Sequence, residues 1–406
     1  MGWLLDLLWI PLLGACAATI GYAVAVTVRV RRGLRAAPPV DTWSDAAAPP
    51  AGWPPVCIVI PAHNEEAVVA RLVASLLAQD YPALSVVFAL DRCTDDTRAE
   101  IERAAANDPR FELVEIASCP DDWAGKTHAA YQGVTRSTAA PNAELLLFTD
   151  ADTWFAPYCV RAAVSAMRER GSDMLSLLST LDAHALWEHA LQPAAVMALL
   201  RQHPLDRVNS PRTRRAFANG QFMLFDADAY RAIGGHEGVK DDLLEDIAFA
   251  YALKNDGCTW SVLPAGGALR CRMYDSRRAF LDGWRRIYLE SGRRIPKRLR
   301  KWGAEFVLTG AVAPVACALA LVLGALSRGA IGWTLVGAGG LALACWGVAT
   351  ARVWRAQGAP AWAVVFAPYA SCVIGGVMFA AARDLAHRRT VRWGGRSYTL
   401  EPRSHG

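Results

Sequence analysis

No Cys-x-x-Cys pair occurs among the ten cysteines, which are scattered from Cys16 to Cys372. Closely paired cysteines are the usual frame of a zinc site, so their absence argues against one. Cys16, Cys317, Cys345 and Cys372 sit in apolar runs, where a free thiol behaves as a small hydrophobe. Such usage offers no disulfide framework and suits a reducing cytosolic face. The Gly-x-x-x-x-Gly-Lys spacing of a P-loop is also missing, although Gly125-Lys126 is present. There is no nucleic-acid-binding motif, and the net charge of +5 is small for 406 residues, so nucleic acid is not expected as a partner. His63, His128, His184, His189 and His203 show no metal-ligand spacing and read as surface or helix-packing residues. No internal repeat is apparent.

What the chain has in excess is apolar sequence, 53% of its residues, collected in the first thirty or so and again after residue 303. Residues 7–28 are almost wholly apolar and long enough to span a bilayer. Arg29, Arg31, Arg32 and Arg35 follow at once, which places this end in the cytoplasm and the N-terminus outside. The stretch is too long for a signal-peptide core, and no basic segment precedes it. Three more apolar segments run over about 304–326, 330–350 and 360–382. Three full spans would put the tail outside, yet that tail carries Arg383, Arg388, Arg389, Arg392 and Arg396. One of the three is therefore expected to be re-entrant or interfacial.

Between these ends, residues 31–54 read as a linker, rich in Pro and Ala after the basic run. From Val56 short apolar runs alternate with amphipathic helices. Strands are expected at 56–60, 85–90, 111–116 and 145–148, with helices at 65–78 and 96–106. Strand alternating with helix implies a parallel sheet covered on both faces, and ligands of such sheets bind beyond the carboxyl ends of the strands.

Acidic residues punctuate those ends. Asp91 closes the second strand; its carboxylate either bonds a nucleotide base or ribose or belongs to a turn capped by Thr94 or Asp95. Asp150-Ala151-Asp152 follows Leu145-Leu146-Leu147-Phe148 and either holds Mg²⁺ or Mn²⁺, which prefer oxygen ligands and bridge to diphosphate, or is a polar turn. A second copy, Asp226-Ala227-Asp228, reads as a helix start. Glu245-Asp246, in Asp241-Asp242-Leu243-Leu244-Glu245-Asp246, either complements a helix dipole or supplies a general base for an acceptor hydroxyl. Asn219-Gly220-Gln221 either borders an acceptor pocket or is a plain loop before a strand, and the run Ser210–Arg215 reads as a solvated loop or as a contact to acceptor or phosphate.

The order of these pieces is more specific than any one of them. Pro61-Ala62-His63-Asn64-Glu65-Glu66, Asp91, Gly125-Lys126, Asp150-Ala151-Asp152, Gly234-Gly235 and Glu245-Asp246 together resemble the family 2 glycosyltransferases of the GT-A fold, from about Val56 to Ala268. The resemblance implies an α/β, Rossmann-like domain binding a UDP- or GDP-sugar. By that resemblance Pro61, Ala62, Asn64 and Glu65 line the nucleotide pocket, Asp91 contacts the base or ribose and Lys126 lies near the diphosphate. It further implies that Asp150 and Asp152 bind nucleotide and metal, and that Asp246 is the base of an inverting transfer. The Gln-x-x-Arg-Trp motif of many membrane members is missing; Arg285 or Arg286, in Trp284-Arg285-Arg286-Ile287-Tyr288, would take over the diphosphate contact. That absence weighs against a polysaccharide synthase.

Phe280, Trp284, Ile287 and Tyr288 share one helical face with Arg277, Arg278, Arg285, Arg293 and Arg294 nearby, the pattern of a helix lying in a membrane surface. The expected organisation is a membrane helix at 1–30, a linker at 31–54, a GT-A domain at 55–270, a basic interface helix region at 271–302, membrane segments at 303–383 and a basic tail at 384–406. The arrangement resembles ceramide glucosyltransferases and the hopanoid- and carotenoid-associated enzymes, the Trp393-Gly394-Gly395-Arg396 tail looking closer to the hopanoid group. It implies a multi-pass cell-membrane enzyme with its catalytic domain on the cytoplasmic face and a lipid acceptor. An inactive membrane scaffold with the same fold is the competing expectation.

Overall fold

The computed structural model describes residues 2–213, 215–240, 244–327, 329–387, 390–393 and 396–399. Arg214, Asp241, Asp242, Leu243, Arg388, Arg389, Gly394 and Gly395 lie outside the described residues. The chain forms two compact units, one of Leu34–Asp182 and Leu205–Met273, the other of Met1–Gly33, Ala183–Pro204 and Tyr274–Gly406.

Among its described residues the first unit holds ten strands: β1 (Val56–Ala62), β2 (Leu84–Asp91), β3 (Phe111–Ile116), β4 (Leu145–Thr149), β5 (Thr153–Phe155), β6 (Met174–Leu178), β7 (Thr180–Leu181), β8 (Phe222–Asp226), β9 (Trp260–Pro264) and β10 (Leu269–Cys271). Seven form one sheet in the order β3-β2-β1-β4-β8-β6-β9, and three form a small sheet, β5-β10-β7. In the large sheet β1 to β4 run parallel, while β8 is antiparallel to both β4 and β6. The four strands expected from sequence run parallel, and β8, to which no direction was assigned, adds an antiparallel member. A parallel neighbour needs a crossover of a dozen or more residues, usually helical. The link from β7 to β8 holds the helices Leu186–Gln202 and Leu205–Val208 and is long enough for either direction, so the antiparallel pairing is a finding of the structure. The reversal brings the start of β8 to the same sheet edge at which β4 ends.

Period-two alternation divides β1 between two cores. Ile58 and Ile60 pack with Leu72, Val73 and Leu76 of the helix Val69–Leu77 on one face. Cys57 and Val59 pack on the other with Ala129 and Ala130 of the helix Gly125–Arg136 and Phe249 of the helix Glu245–Asn255. A strand buried on both faces reads as a continuous apolar run. At Gly133 a Cβ would come within 2.6 Å of Val59 Cγ1, so the helix above β1 sits closer than any side chain permits.

The helix expected at 65–78 begins later, at Val69. Asn64 is in the left-handed region at φ 58, and the next residues are recruited by a neighbouring turn. The Asn64 side chain accepts from the Thr94 N–H at 2.8 Å, and the Glu65 N–H donates to Thr97 Oγ1 at 2.7 Å. Asp226 caps the helix Ala227–Ala232 through the N–H groups of Asp228 and Ala229, as its helix-start reading required.

Among its described residues the second unit is mainly helical, with one two-stranded antiparallel sheet of Thr390–Trp393 and Arg396–Thr399. Among the described residues of the whole chain, four candidate spans, Leu8–Trp43, Pro296–Leu326, Ala330–Arg355 and Ala361–Ala386, are long and apolar enough to cross a membrane. Pro314 lacks the N–H that a regular helix would direct to Gly310, and a π-helical turn, Leu308–Val312, forms there. The Trp346 indole N–H takes the Thr309 carbonyl at 3.2 Å. Small residues bring the helices together, since a Cβ on Gly339 would meet Cys317 O at 2.7 Å and one on Gly375 would meet Val307 at 2.4 Å. Leu308, Val312, Val315, Leu319, Val322 and Leu326 remain exposed at alternating four- and three-residue steps, an apolar stripe down one side of the helix. The face of Arg277–Ser291 assigned above to lipid is packed against protein instead. Phe280 and Tyr288 are fully buried, Phe280 against Trp187, and the Tyr288 hydroxyl donates to Ala195 O at 2.9 Å.

Candidate active site

The carboxyl ends of β1, β2 and β4, the start of β8 and the first turns of two helices supply the polar groups of the first unit. Lys126 opens the helix Gly125–Arg136, and Glu245 and Asp246 open Glu245–Asn255. Acidic groups at a helix start are stabilised by its dipole, whereas a lysine there is not. Lys126 is held by partners from elsewhere, at 2.7 Å from Asp150 Oδ1 and 2.7 Å from Glu245 Oε1. Burial works against the ammonium, yet the two carboxylates outweigh it and hold the Lys126 pKa well above the ordinary lysine range.

Asp246 faces the same cluster. Its Oδ2 accepts from the Gly220 N–H at 2.9 Å and its Oδ1 from its neighbour's N–H, Ile247, at 2.7 Å. Burial first, and then the charge of Glu245, push its pKa up to about 7. Gly220 has no side chain to spare for this arrangement. A Cβ there would lie 3.2 Å from Lys126 Nζ and 3.3 Å from Glu245 Oε1.

Asp152 lies on the turn between β4 and β5. Its Oδ1 is buried with no hydrogen-bond partner, while the Cys271 thiol at the end of β10 bonds the carboxylate. Burial, reinforced by Asp150, raises its pKa to about 7. Glu65, half-buried after β1, is likewise raised to about 7 by burial and then by Asp150. A cation bound beside carboxylates raised in this way would favour their charged forms. Among the described residues no group of three ligating side chains exists, so a cation here would rest on the aspartates and on oxygens of a ligand.

The structure thus brings Lys126, Asp150 and Asp246 into one cluster, with Glu65 and Asp152 coupled to it by charge. Asp91, buried at the end of β2, is bound by the Arg92 guanidinium at 2.6 Å. Pro61 and Ala62 end β1, and Asn64 and Glu65 follow in the loop tied to Thr94 and Thr97. Arg285 and Arg286 belong to the second unit, where Arg285 pairs with Asp384 at 3.2 Å. Three participants were not singled out from sequence for the roles they hold. Glu245 was legible only as the neighbour of Asp246, and Gly220 as part of a loop. Cys271 carries no signal at all in Leu269-Arg270-Cys271.

Residues 57–234 match the model of glycosyl transferase family 2. These residues form a family 2 glycosyltransferase domain. Its mixed sheet is of the Rossmann-like GT-A class. The 4,4'-diaponeurosporenoate glycosyltransferase of Staphylococcus aureus is 27% identical over 233 residues, 56% of this chain and 59% of that protein. The match therefore spans a little under two thirds of that relative's length. Among solved structures, the mannosyltransferase PcManGT from Pyrobaculum calidifontis, in complex with GDP-Man and Mn²⁺, aligns with 92% of this chain and 98% of its own, at 18% identity and a TM-score of 0.45. TarS 1–349 of S. aureus, in complex with UDP-GlcNAc, aligns with 87% of this chain and 98% of its own, at 14% identity and a TM-score of 0.38.

Proposed function

We propose that the protein transfers a sugar from a UDP- or GDP-sugar to a hydroxyl of a membrane lipid, with inversion at the anomeric carbon. The observation that carries this is the meeting of Lys126, Asp150 and Asp246 at the carboxyl edge of a nucleotide-binding type of sheet. Asp246 has the properties of a general base. Two backbone N–H groups fix its orientation, and a pKa near 7 leaves it able to take a proton at neutral pH. It removes the proton of the acceptor hydroxyl as the oxygen attacks the sugar carbon, whose bond to the diphosphate breaks. Lys126 is the resident positive charge beside the departing diphosphate.

Asp152 and Asp150 fit Mg²⁺ or Mn²⁺, because one carboxylate oxygen is buried without a partner and such ions take one or two carboxylates plus substrate phosphates. When bound, the metal supplies charge neutralisation of the leaving diphosphate. The four candidate spans, the exposed stripe on Pro296–Leu326 and the carotenoid-type acceptor named for the S. aureus relatives support a lipid acceptor at a cell membrane. Arg29, Arg31, Arg32 and Arg35 after the first span support a cytoplasmic face for the catalytic unit.

Two variants separate the roles. Asp246→Asn keeps Mn²⁺-dependent binding of UDP or GDP and loses transfer by about 10²–10⁴-fold, the usual contribution of a general base. Asp152→Asn weakens Mn²⁺-dependent binding itself, by about tenfold or more as for other losses around a metal. Titration of nucleotide into each variant, beside a transfer assay, checks both. Full transfer by Asp246→Asn contradicts the base assignment.

A further inference from the structure

Cys271 ends β10 and is fully buried. The antiparallel ladder between β10 and β5 pairs it with Thr153, and the Arg272 N–H donates to the Asp152 carbonyl at 3.2 Å. Backbone pairing therefore fixes the thiol beside the Asp152 carboxylate, to which it is hydrogen-bonded. The sulfur also receives a hydrogen bond. Gln221, buried just before β8, donates from Nε2 to Cys271 Sγ at 2.9 Å. Its backbone is held as well, since the Thr149 hydroxyl donates to the Gln221 carbonyl at 2.7 Å.

The direction of these bonds follows from one backbone carbonyl. Leu177 O can only accept, so the end of the Asn219 side chain that lies 2.8 Å from it is the amide nitrogen. The second hydrogen of that nitrogen points to Gln221 Oε1 at 3.3 Å, and the Ser179 hydroxyl donates to the same oxygen. With its oxygen occupied, Gln221 turns its NH₂ group toward the sulfur. A thiol has a single hydrogen, and here it goes to Asp152. The chain of bonds that starts at Leu177 O thus ends by delivering a neutral donor to the carboxylate. Asp152 Oδ1 stays buried without a hydrogen-bond partner.

We propose, resting on the metal and nucleotide-sugar reading above, that Cys271 and Gln221 are positioning residues for the cation. The thiol holds the Asp152 carboxylate in one orientation, so that Oδ1 is presented to Mg²⁺ or Mn²⁺, and Gln221 aims the thiol. Partners one bond behind a ligating group fix its direction, and their loss typically costs about 10- to 100-fold in metal affinity.

The test uses the full chain in detergent. UDP and GDP are titrated calorimetrically, each with Mn²⁺ and again with EDTA. The ratio of the two dissociation constants measures the metal's contribution, and a ratio on one sample is insensitive to any misfolded fraction. The wild type is expected to bind the better nucleotide more tightly with Mn²⁺. Cys271→Ala, which deletes the donor, is expected to lose about tenfold or more of that ratio, or the whole of a smaller one, with the EDTA constant unchanged. Cys271→Ser, which keeps a donor, is expected to recover most of it. Gln221→Met, which keeps the length of the side chain but not its N–H, is expected to fall between alanine and wild type. A wild-type ratio in Cys271→Ala or Gln221→Met, or a serine variant no better than alanine, overturns the proposal and leaves the metal reading standing. No effect of Mn²⁺ on the wild type overturns both.

Discussion

At the residue scale, the proposed chemistry rests on a carboxylate whose proton affinity the fold has raised. Asp246 sits near 7 instead of its ordinary 3.8, through burial and the neighbouring Glu245. A general base works when unprotonated, so kcat/KM for transfer is expected to rise with pH and level off above about 7. The same shift makes a stability statement of opposite sign. Between the unfolded and folded values, the folded chain binds the extra proton, so this residue's contribution to stability declines as pH rises from about 4 to 7. Asp246→Asn is expected to raise the melting temperature at pH 8 relative to the wild type, with the difference vanishing near pH 4. A flat activity profile through neutrality contradicts the assignment. Much of this site could be read in the sequence, because carboxylates at strand ends and helix starts have a recognisable order. The Lys126 bridge between Asp150 and Glu245 could not, since it joins residues about a hundred apart. Cys271 was equally hidden, because only the pairing of β10 with β5 carries it to the turn after β4.

At the element scale, the site depends on how closely the helix Gly125–Arg136 lies on the sheet. Gly133 faces Val59 of β1 and Ala89 of β2, and Lys126 projects from the first turn of the same helix. Gly133→Val is expected to lift the helix and destabilise the unit by about 1–3 kcal/mol, moving Lys126 as well. Denaturant unfolding measures the loss, and weakened nucleotide binding in the folded fraction registers the displacement. β1, β2 and β4 were legible as short, largely apolar runs, and β3 as the alternating stretch Phe111-Glu112-Leu113-Val114-Glu115-Ile116. β8 was not assigned a direction, because period and composition do not encode polarity within a sheet. The late start of Val69–Leu77 was invisible for a related reason. Val68 and Val69 fit helical spacing, but Thr97 and Thr94 claim the backbone and side chain of Glu65 and Asn64 first. The aromatic face of Arg277–Ser291 shows the limit of amphipathicity. Spacing identifies an apolar face but not its cover, which in this chain is other helices.

At the scale of the whole molecule, the account joins a family 2 glycosyltransferase domain to four helices long and apolar enough for a membrane. Hydropathy located the four apolar segments, since length and composition suffice for that, but the first span runs on to Trp43, through residues 31–43 that were read as linker. The π turn before Pro314 and the small-residue contacts at Gly339 and Gly375 emerged only from the packing. The central claim is transfer of a sugar to a lipid, and one measurement meets it directly. Membranes containing the protein are incubated with bacterial lipid extract, Mn²⁺ and each of a panel of radiolabelled nucleotide sugars, with and without EDTA, and label in the organic phase is counted. The account predicts label from one UDP- or GDP-sugar, lost with EDTA. No label from any donor, together with no nucleotide binding, contradicts it and favours an inactive scaffold with the same fold.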